Sequence, residues 1–148
     1  MSGDVNIPRA ILDAIYEHAR AGYPEEVCRF IVAGDEARRC ENRQNALHAE
    51  DPVTFPRTAA TAYNLGPRDI MFLDRSQKSE RPVRVIYHSH VDVGAYFSAE
   101  DERAAAPDGE LLYPVDYLVV DVRADGVRGA KLFRFSDGRF VEIASYGA

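Results

Sequence analysis

The sequence predicts a mixed α/β fold, one β-sheet flanked by helices, on three observations. The chain opens with an amphipathic helix. Helical and strand-like segments then follow without the strict alternation of a parallel fold. It closes in three strand-like runs joined by tight turns. With 148 residues, 46% of them hydrophobic and 28% charged, residues 1–148 are expected to form a single domain around one continuous core.

In "IPRAILDAIYEHARAGYP" the apolar residues Ile7, Ile11, Ile15 and Ala19 recur at four-residue steps, the stripe of an amphipathic helix. Asn6 is placed to cap it, Pro8 fits its first turn, and Gly22 and Pro24 stop it. "VCRFIVAG" is rich in β-branched and aromatic residues and reads as a strand, turning through "GDEARR" into a second strand near "RRCENRQ". Residues 46–66 carry two prolines and no sustained period, which predicts an irregular crossing segment. The spacing of Pro67, Ile70, Phe72 and Leu73 in "GPRDIMFLDRSQKSER" suits a short helix ending among charged residues, and "PVRVIYHSH" is a strand. "SAEDERAAAPDG" is helical up to its proline. "YLVVDVR", "AKLFRF" and "FVEIA", separated by "ADG" and "SDG", form a meander.

Charge and composition exclude several classes. Eighteen Lys and Arg against 24 Asp and Glu give a net charge of -6, which opposes broad attraction to nucleic acid or anionic lipid. Arg38, Arg39 and Arg43 nevertheless cluster and offer a local basic face for an acidic protein partner. The sequence carries neither a basic segment leading into an apolar run nor about 20 consecutive apolar residues, so a cytoplasmic protein is expected. Cys28 and Cys40 form no CxxC pair, which suits a reducing compartment. His18 reads as a surface or packing residue and His48 as a solvent-exposed loop residue.

The chemistry concentrates in "YHSHVDVGAYFSAED", residues 87–101. Residues two apart on a strand point the same way, so His88 and His90 present both imidazoles to one side, with Cα atoms about 7 Å apart. Two imidazoles make most of a catalytic zinc site, which takes a third protein ligand and keeps one position open. Asp92 and Asp101 compete for that place. Asp92 continues the strand alternation, but three same-face positions on a straight strand lie along a line and do not converge on one ion. Asp101 lies past Gly94, which permits the turn that brings it round. "SAED" is at the same time a capping box, in which Ser98 accepts from the Asp101 amide and Asp101 reaches back.

His-Ser-His, seven residues, then Ser-x-x-Asp resembles the signature of the JAMM (MPN-plus) metalloprotease family, whose small free-standing prokaryotic members are of this length. The family also carries an upstream glutamate in a Pro-x-Glu-x-Cys-Gly context. "YPEEVCRF" matches that register with Pro24, Glu26 and Cys28, and Asn45 follows in the family's order. Two positions depart: Val91 stands where proline is usual, and Arg29 stands where glycine is usual. Arg29 brings a long cation to the site entrance unless its side chain faces away.

The resemblance implies an MPN/JAB fold, a cytidine-deaminase-like three-layer arrangement. It implies Zn2+ held by His88, His90 and Asp101, with Glu26 as general base and then general acid, and Ser98 donating to the oxyanion. The implied reaction is hydrolysis of an amide or isopeptide bond at the C-terminal tail of a ubiquitin-like or sulfur-carrier protein. The alternative is a non-catalytic MPN scaffold that binds a ubiquitin-like partner and has lost its ligands. An unrelated His-x-His hydrolase would need further histidines or a cysteine pair, and the chain offers only His18 and His48 besides the motif.

Overall fold

The computed structural model of the protein describes residues 7–33 and 36–148. The sequence of elements is α1 (Arg9–Gly22), β1 (Cys28–Val32), β2 (Glu36–Arg39), α2 (Gln44–Glu50), α3 (Pro67–Ser76), β3 (Val83–Val91), α4 (Ala99–Ala105), β4 (Asp116–Arg123), β5 (Gly126–Ser136) and β6 (Arg139–Gly147). Among the described residues, six strands form one mixed sheet in the order β2-β1-β3-β4-β5-β6. Only β3 and β4 run parallel, and α4 lies in the crossover between them; the last three strands are the expected antiparallel meander.

Strand alternation divides the core into two layers. Val85 and Tyr87 of β3, with Leu118, Val120 and Val122 of β4, face α1 and pack on its Leu12, Ile15, Tyr16 and Ala19. Ile86 of β3, Phe30 of β1 and Tyr117 of β4 face the other way, onto Leu73 of α3 and Ala105 of α4. Each fully buried aliphatic or aromatic side chain contributes roughly 1.5–3 kcal/mol. The chain is therefore helix, sheet, helix in cross-section, and His88 and His90 share the parity of Ile86, on the face away from α1.

Several expectations are corrected. Pro8 occupies the N-cap of α1, two residues after the expected cap Asn6, which lies outside the described residues, as does the centre of the β1–β2 turn. The second strand ends before Cys40 instead of running through it. The crossing segment contains a helix, α2, of which only Gln44 is buried. In α3, Ile70 is exposed, and the inward positions are Leu73 and the carboxylate Asp69, which accepts from the Glu41 amide at 2.9 Å. Of the two places expected for His18, surface or packing, it takes the second: it is buried, its Nδ1 2.6 Å from the Tyr87 hydroxyl across the α1–sheet interface. His48 lies on α2, half-buried, with Nδ1 2.8 Å from the Phe55 carbonyl. Among the described residues no helix is long and apolar enough to cross a membrane.

Candidate metal centre

The sheet register assembles the centre. Cys28 pairs with His88, so counting back along antiparallel β1 sets Val27 beside Ser89 and Glu26 beside His90. Two bonds fix this register at the strand end: the Ser89 amide donates to the Val27 carbonyl at 3.0 Å, and the Val27 amide donates to Ser89 Oγ at 2.8 Å. The middle residue of His-Ser-His thus ties the glutamate segment to the histidine strand from within the sheet. Replacing it, Ser89→Ala, leaves a sheltered N–H without its acceptor. The expected cost is about 1–3 kcal/mol, read as a lower urea midpoint at unchanged m-value.

Glu26 is held from its other side by Asn42. The Asn42 side chain donates to the carbonyls of Glu26 (2.8 Å) and Ala62 (3.2 Å) and accepts from the amides of Gln44 and Asn64, both at 3.0 Å. One amide side chain therefore has all its donors and acceptors engaged, and binds the 42–64 segment to the glutamate.

Beyond β3 the chain turns sharply. Asp92 adopts a left-handed conformation (φ 62°), and its carboxylate accepts from the Tyr23 hydroxyl at 2.9 Å. It points away from the histidines, so of the two competing aspartates only Asp101 reaches them. Gly94 takes the expected positive φ of 98°, and its carbonyl lies 3.1 Å from His90 Nδ1. With a proton on Nδ1 held by that carbonyl, Nε2 is the nitrogen that would give up to a cation the proton it shares with Asp101 in the metal-free protein.

The capping box forms as expected. Asp101 N donates to Ser98 Oγ (3.1 Å) and Ser98 N donates to Asp101 Oδ2 (3.0 Å). The cap aims the carboxylate: Oδ1 is 3.2 Å from His88 Nε2, and Oδ2 is 3.2 Å from His90 Nε2. Glu26, His88 and His90 also each offer a donor atom, all within 4.8 Å of one another. The structure thus brings together Glu26, His88, His90, Ser98 and Asp101.

This donor set fits a zinc-type cation. His88 is fully buried, yet neither ring nitrogen makes a hydrogen bond; its short approach to Asp101 lacks hydrogen-bond geometry. A buried imidazole with an orphaned Nε2, turned toward a second imidazole and a carboxylate, is the arrangement a cation would satisfy.

The electrostatics agree. Burial lowers the His88 pKa, against the pull of Asp101. Burial also works against charge on His90, but its hydrogen bond to Asp101 and that carboxylate's charge outweigh it and raise the pKa. Burial alone would raise Asp101; the two histidines and the Ser98 amide overcome it and hold the carboxyl well below its usual range. Glu26 is pushed up to about 8, chiefly by burial, with His90 opposing and the Asp101 charge reinforcing the shift.

A linkage follows for metal-free protein. Folded Glu26 retains a proton that the unfolded chain releases near the ordinary value of 4.5, so stability falls as pH rises from about 4.5 to about 8. Glu26→Gln has no such proton to lose. The expected result is that, after chelator treatment, the variant's Tm overtakes that of the parent as pH rises, by roughly 4 °C or more at pH 8.5.

The centre lines one side of an open cleft of about 660 Å³. Its other wall is the segment after α2, including Phe55, Arg57 and Tyr63. Tyr63 stacks on His88 with ring centroids 4.5 Å apart, and Tyr96 meets the His90 ring edge-on at 4.9 Å. Sequence reasoning missed Asn42 and Tyr63, which follow no spacing rule relative to the motif, and Tyr96, which lies within the motif but is not a metal-ligand type of residue. Arg29 pairs with Tyr87, so its side chain falls on the α1 face, where Nη1 approaches the Ala14 carbonyl at 3.4 Å. Its cation does not stand at the site entrance. Val91 closes β3 in register with Val122, and the turn forms without proline. Asn45 is bonded to Glu25 at 2.6 Å and to the Ala59 amide at 2.8 Å, supporting the same cleft wall.

Comparison with known proteins agrees with this architecture. The chain is 29% identical over 135 residues, 89% of its length and 83% of theirs, to proteins of Mycobacterium bovis and Mycobacterium tuberculosis named CysO-cysteine peptidase. The fold resembles a solution structure from Salinibacter ruber (TM-score 0.60, 21% identity, 95% of this chain and 89% of that one). It also resembles one from Desulfitobacterium hafniense (TM-score 0.59, 18% identity, 91% and 86%). The family model of prokaryotic homologs of the JAB domain matches residues 8–134, and the chain belongs to that family.

Proposed function

We propose that the protein is a zinc-dependent peptidase, of the JAMM type, that hydrolyses an amide bond at the C-terminal tail of a ubiquitin-like or sulfur-carrier protein. The observation that carries this reading is the convergence of His88, His90 and Asp101 beside Glu26, with a buried imidazole nitrogen left unbonded. His88, His90 and Asp101 would hold Zn2+, which when bound acidifies water and polarises a carbonyl. Glu26, buried and with a pKa drawn toward neutrality, takes the proton of the attacking water and returns it to the leaving amine. Ser98 Oγ already accepts from the Asp101 amide, so its hydroxyl proton remains available to donate to the oxyanion.

The carrier substrate is favoured by the peptidase relatives, whose name specifies a bond to cysteine, and by the open cleft, which admits a flexible tail. The scaffold alternative calls for a broken donor set, whereas every polar group of the motif stands in place. The chain is proposed to act as one domain, in the cytoplasm.

The test is incubation of the zinc-loaded protein with a ubiquitin-like carrier extended at its C-terminus by cysteine, followed by mass spectrometry. Release of cysteine by the parent and not by Glu26→Gln is expected. Intact carrier in both reactions, or equal release in both, contradicts the reading.

A further inference from the structure

A second concavity, of about 600 Å³, lies on the same face of the sheet as the metal centre but toward the other end of β1, between β2 and α3. Val32, at its edge, is aligned with Val83, five residues before His88 on β3, which sets the groove on the order of 16 Å from the centre along the strands. The groove belongs to neither the cleft nor the donor set.

Its lining is unlike the rest of this acidic chain. Arg68, Met71, Phe72 and Arg75 follow the i, i+3, i+4, i+7 spacing and form one stripe of α3, bearing only arginine and apolar side chains. Across the groove Arg38 of β2 lays its guanidinium 4.0 Å from the centre of the Phe72 ring, and its Nε is buried without a hydrogen-bond partner. Arg81 completes the rim, its Nε donating to the Ala33 carbonyl at 3.2 Å. Among the described residues no carboxylate pairs with Arg38, Arg68 or Arg75, and Met71 is half exposed. Cationic forks beside exposed thioether and aromatic surface, on a chain of net charge -6, form a concentrated feature and not part of an evenly mixed surface.

We propose that this groove docks an acidic linear segment of a partner protein, with aspartate or glutamate on the arginines and an intervening apolar side chain on Met71 and Phe72. Charge complementarity and dimensions select this occupant. Arg68 and Arg75 are two helical turns apart, about 10 Å along the axis, which three to four residues of extended peptide span. Arginine is suited to forked carboxylate contacts, and Phe72 pre-orders Arg38 for one by stacking. A long polyanion such as RNA meets the repulsion of the rest of the chain and finds the apolar side chains of Val32, Met71 and Phe72 among the arginines. The proposal does not depend on hydrolysis at the metal centre.

The test is fluorescence anisotropy of the full chain with a short labelled peptide of glutamate, serine and leucine, against the same peptide with glutamine for glutamate. Expected are binding of the acidic peptide alone, at least about tenfold weakening by R68E/R75E and by the milder R68Q/R75Q, and weakening by salt. R128E, a charge reversal on β5 away from the groove, should leave binding unchanged. Absence of binding, equal binding of the glutamine peptide, or undiminished binding by both arginine variants overturns the proposal. Displacement of the peptide by inorganic phosphate or oligouridylate at matched charge also overturns it, in favour of a phosphate site.

Discussion

Glu26→Gln is expected to keep one equivalent of zinc and to lose hydrolysis by about 10²–10⁴-fold in kcat, with KM little changed. The substitution preserves shape, so the Asn42 bond to the Glu26 carbonyl and the pairing of Val27 with Ser89 remain. It removes only the group able to take a proton. Glu26 faces His90 across the β1–β3 pair, and burial sets its pKa near 8, where uptake and delivery of a proton are both accessible around neutral pH. A variant that loses metal together with activity would make Glu26 a ligand, the role its 4.8 Å grouping with the two histidines also permits. Zinc content and turnover measured on the same sample separate the two.

Asp101→Asn is expected to weaken zinc binding by more than about 100-fold and to abolish activity, while Asp92→Asn changes neither. The amide can still accept from Ser98 N through its oxygen, so the start of α4 is retained. It then turns toward His88 Nε2 an NH2 group, which has no lone pair to offer a cation held by that nitrogen. Asp92, nearer in sequence to the histidines, is bonded to Tyr23 and contributes nothing to the centre. Competition with a chelating dye reads the affinities directly. Loss of zinc in Asp92→Asn, or tight zinc in Asp101→Asn, would reverse the assignment.

Much of this was legible because strand parity and capping are local rules. His88 and His90 share a face by alternation, and Ser98 and Asp101 are fixed by the cap three residues apart. Glu26 required more: only the β1–β3 register, closed by Ser89, brings it opposite His90, and the sequence carries that pairing as a family resemblance and not as a spacing rule. The helix α2 escaped notice because it buries only Gln44; with no apolar stripe there is no period to read, and the hydrogen bonds of Asn42 hold its start. Tyr63 is invisible for a similar reason. It reaches His88 through a segment whose path is set by tertiary bonds to Asn42 and Asn45. In α3 the helical period is legible and Leu73 is buried, but hydrophobicity alone does not show that Asp69 is buried, bonded to the Glu41 amide, while Ile70 is exposed.

The central claim, that two imidazoles and the capped aspartate hold the metal while Glu26 stands beside it as the base, is tested most directly by anomalous diffraction at the zinc edge on crystals of the zinc-loaded protein. One peak is expected, bonded to His88 Nε2, His90 Nε2 and the Asp101 carboxylate, with the Glu26 carboxylate outside bonding distance. A peak bonded to Glu26 in place of Asp101, or no peak between the two histidines, would contradict it.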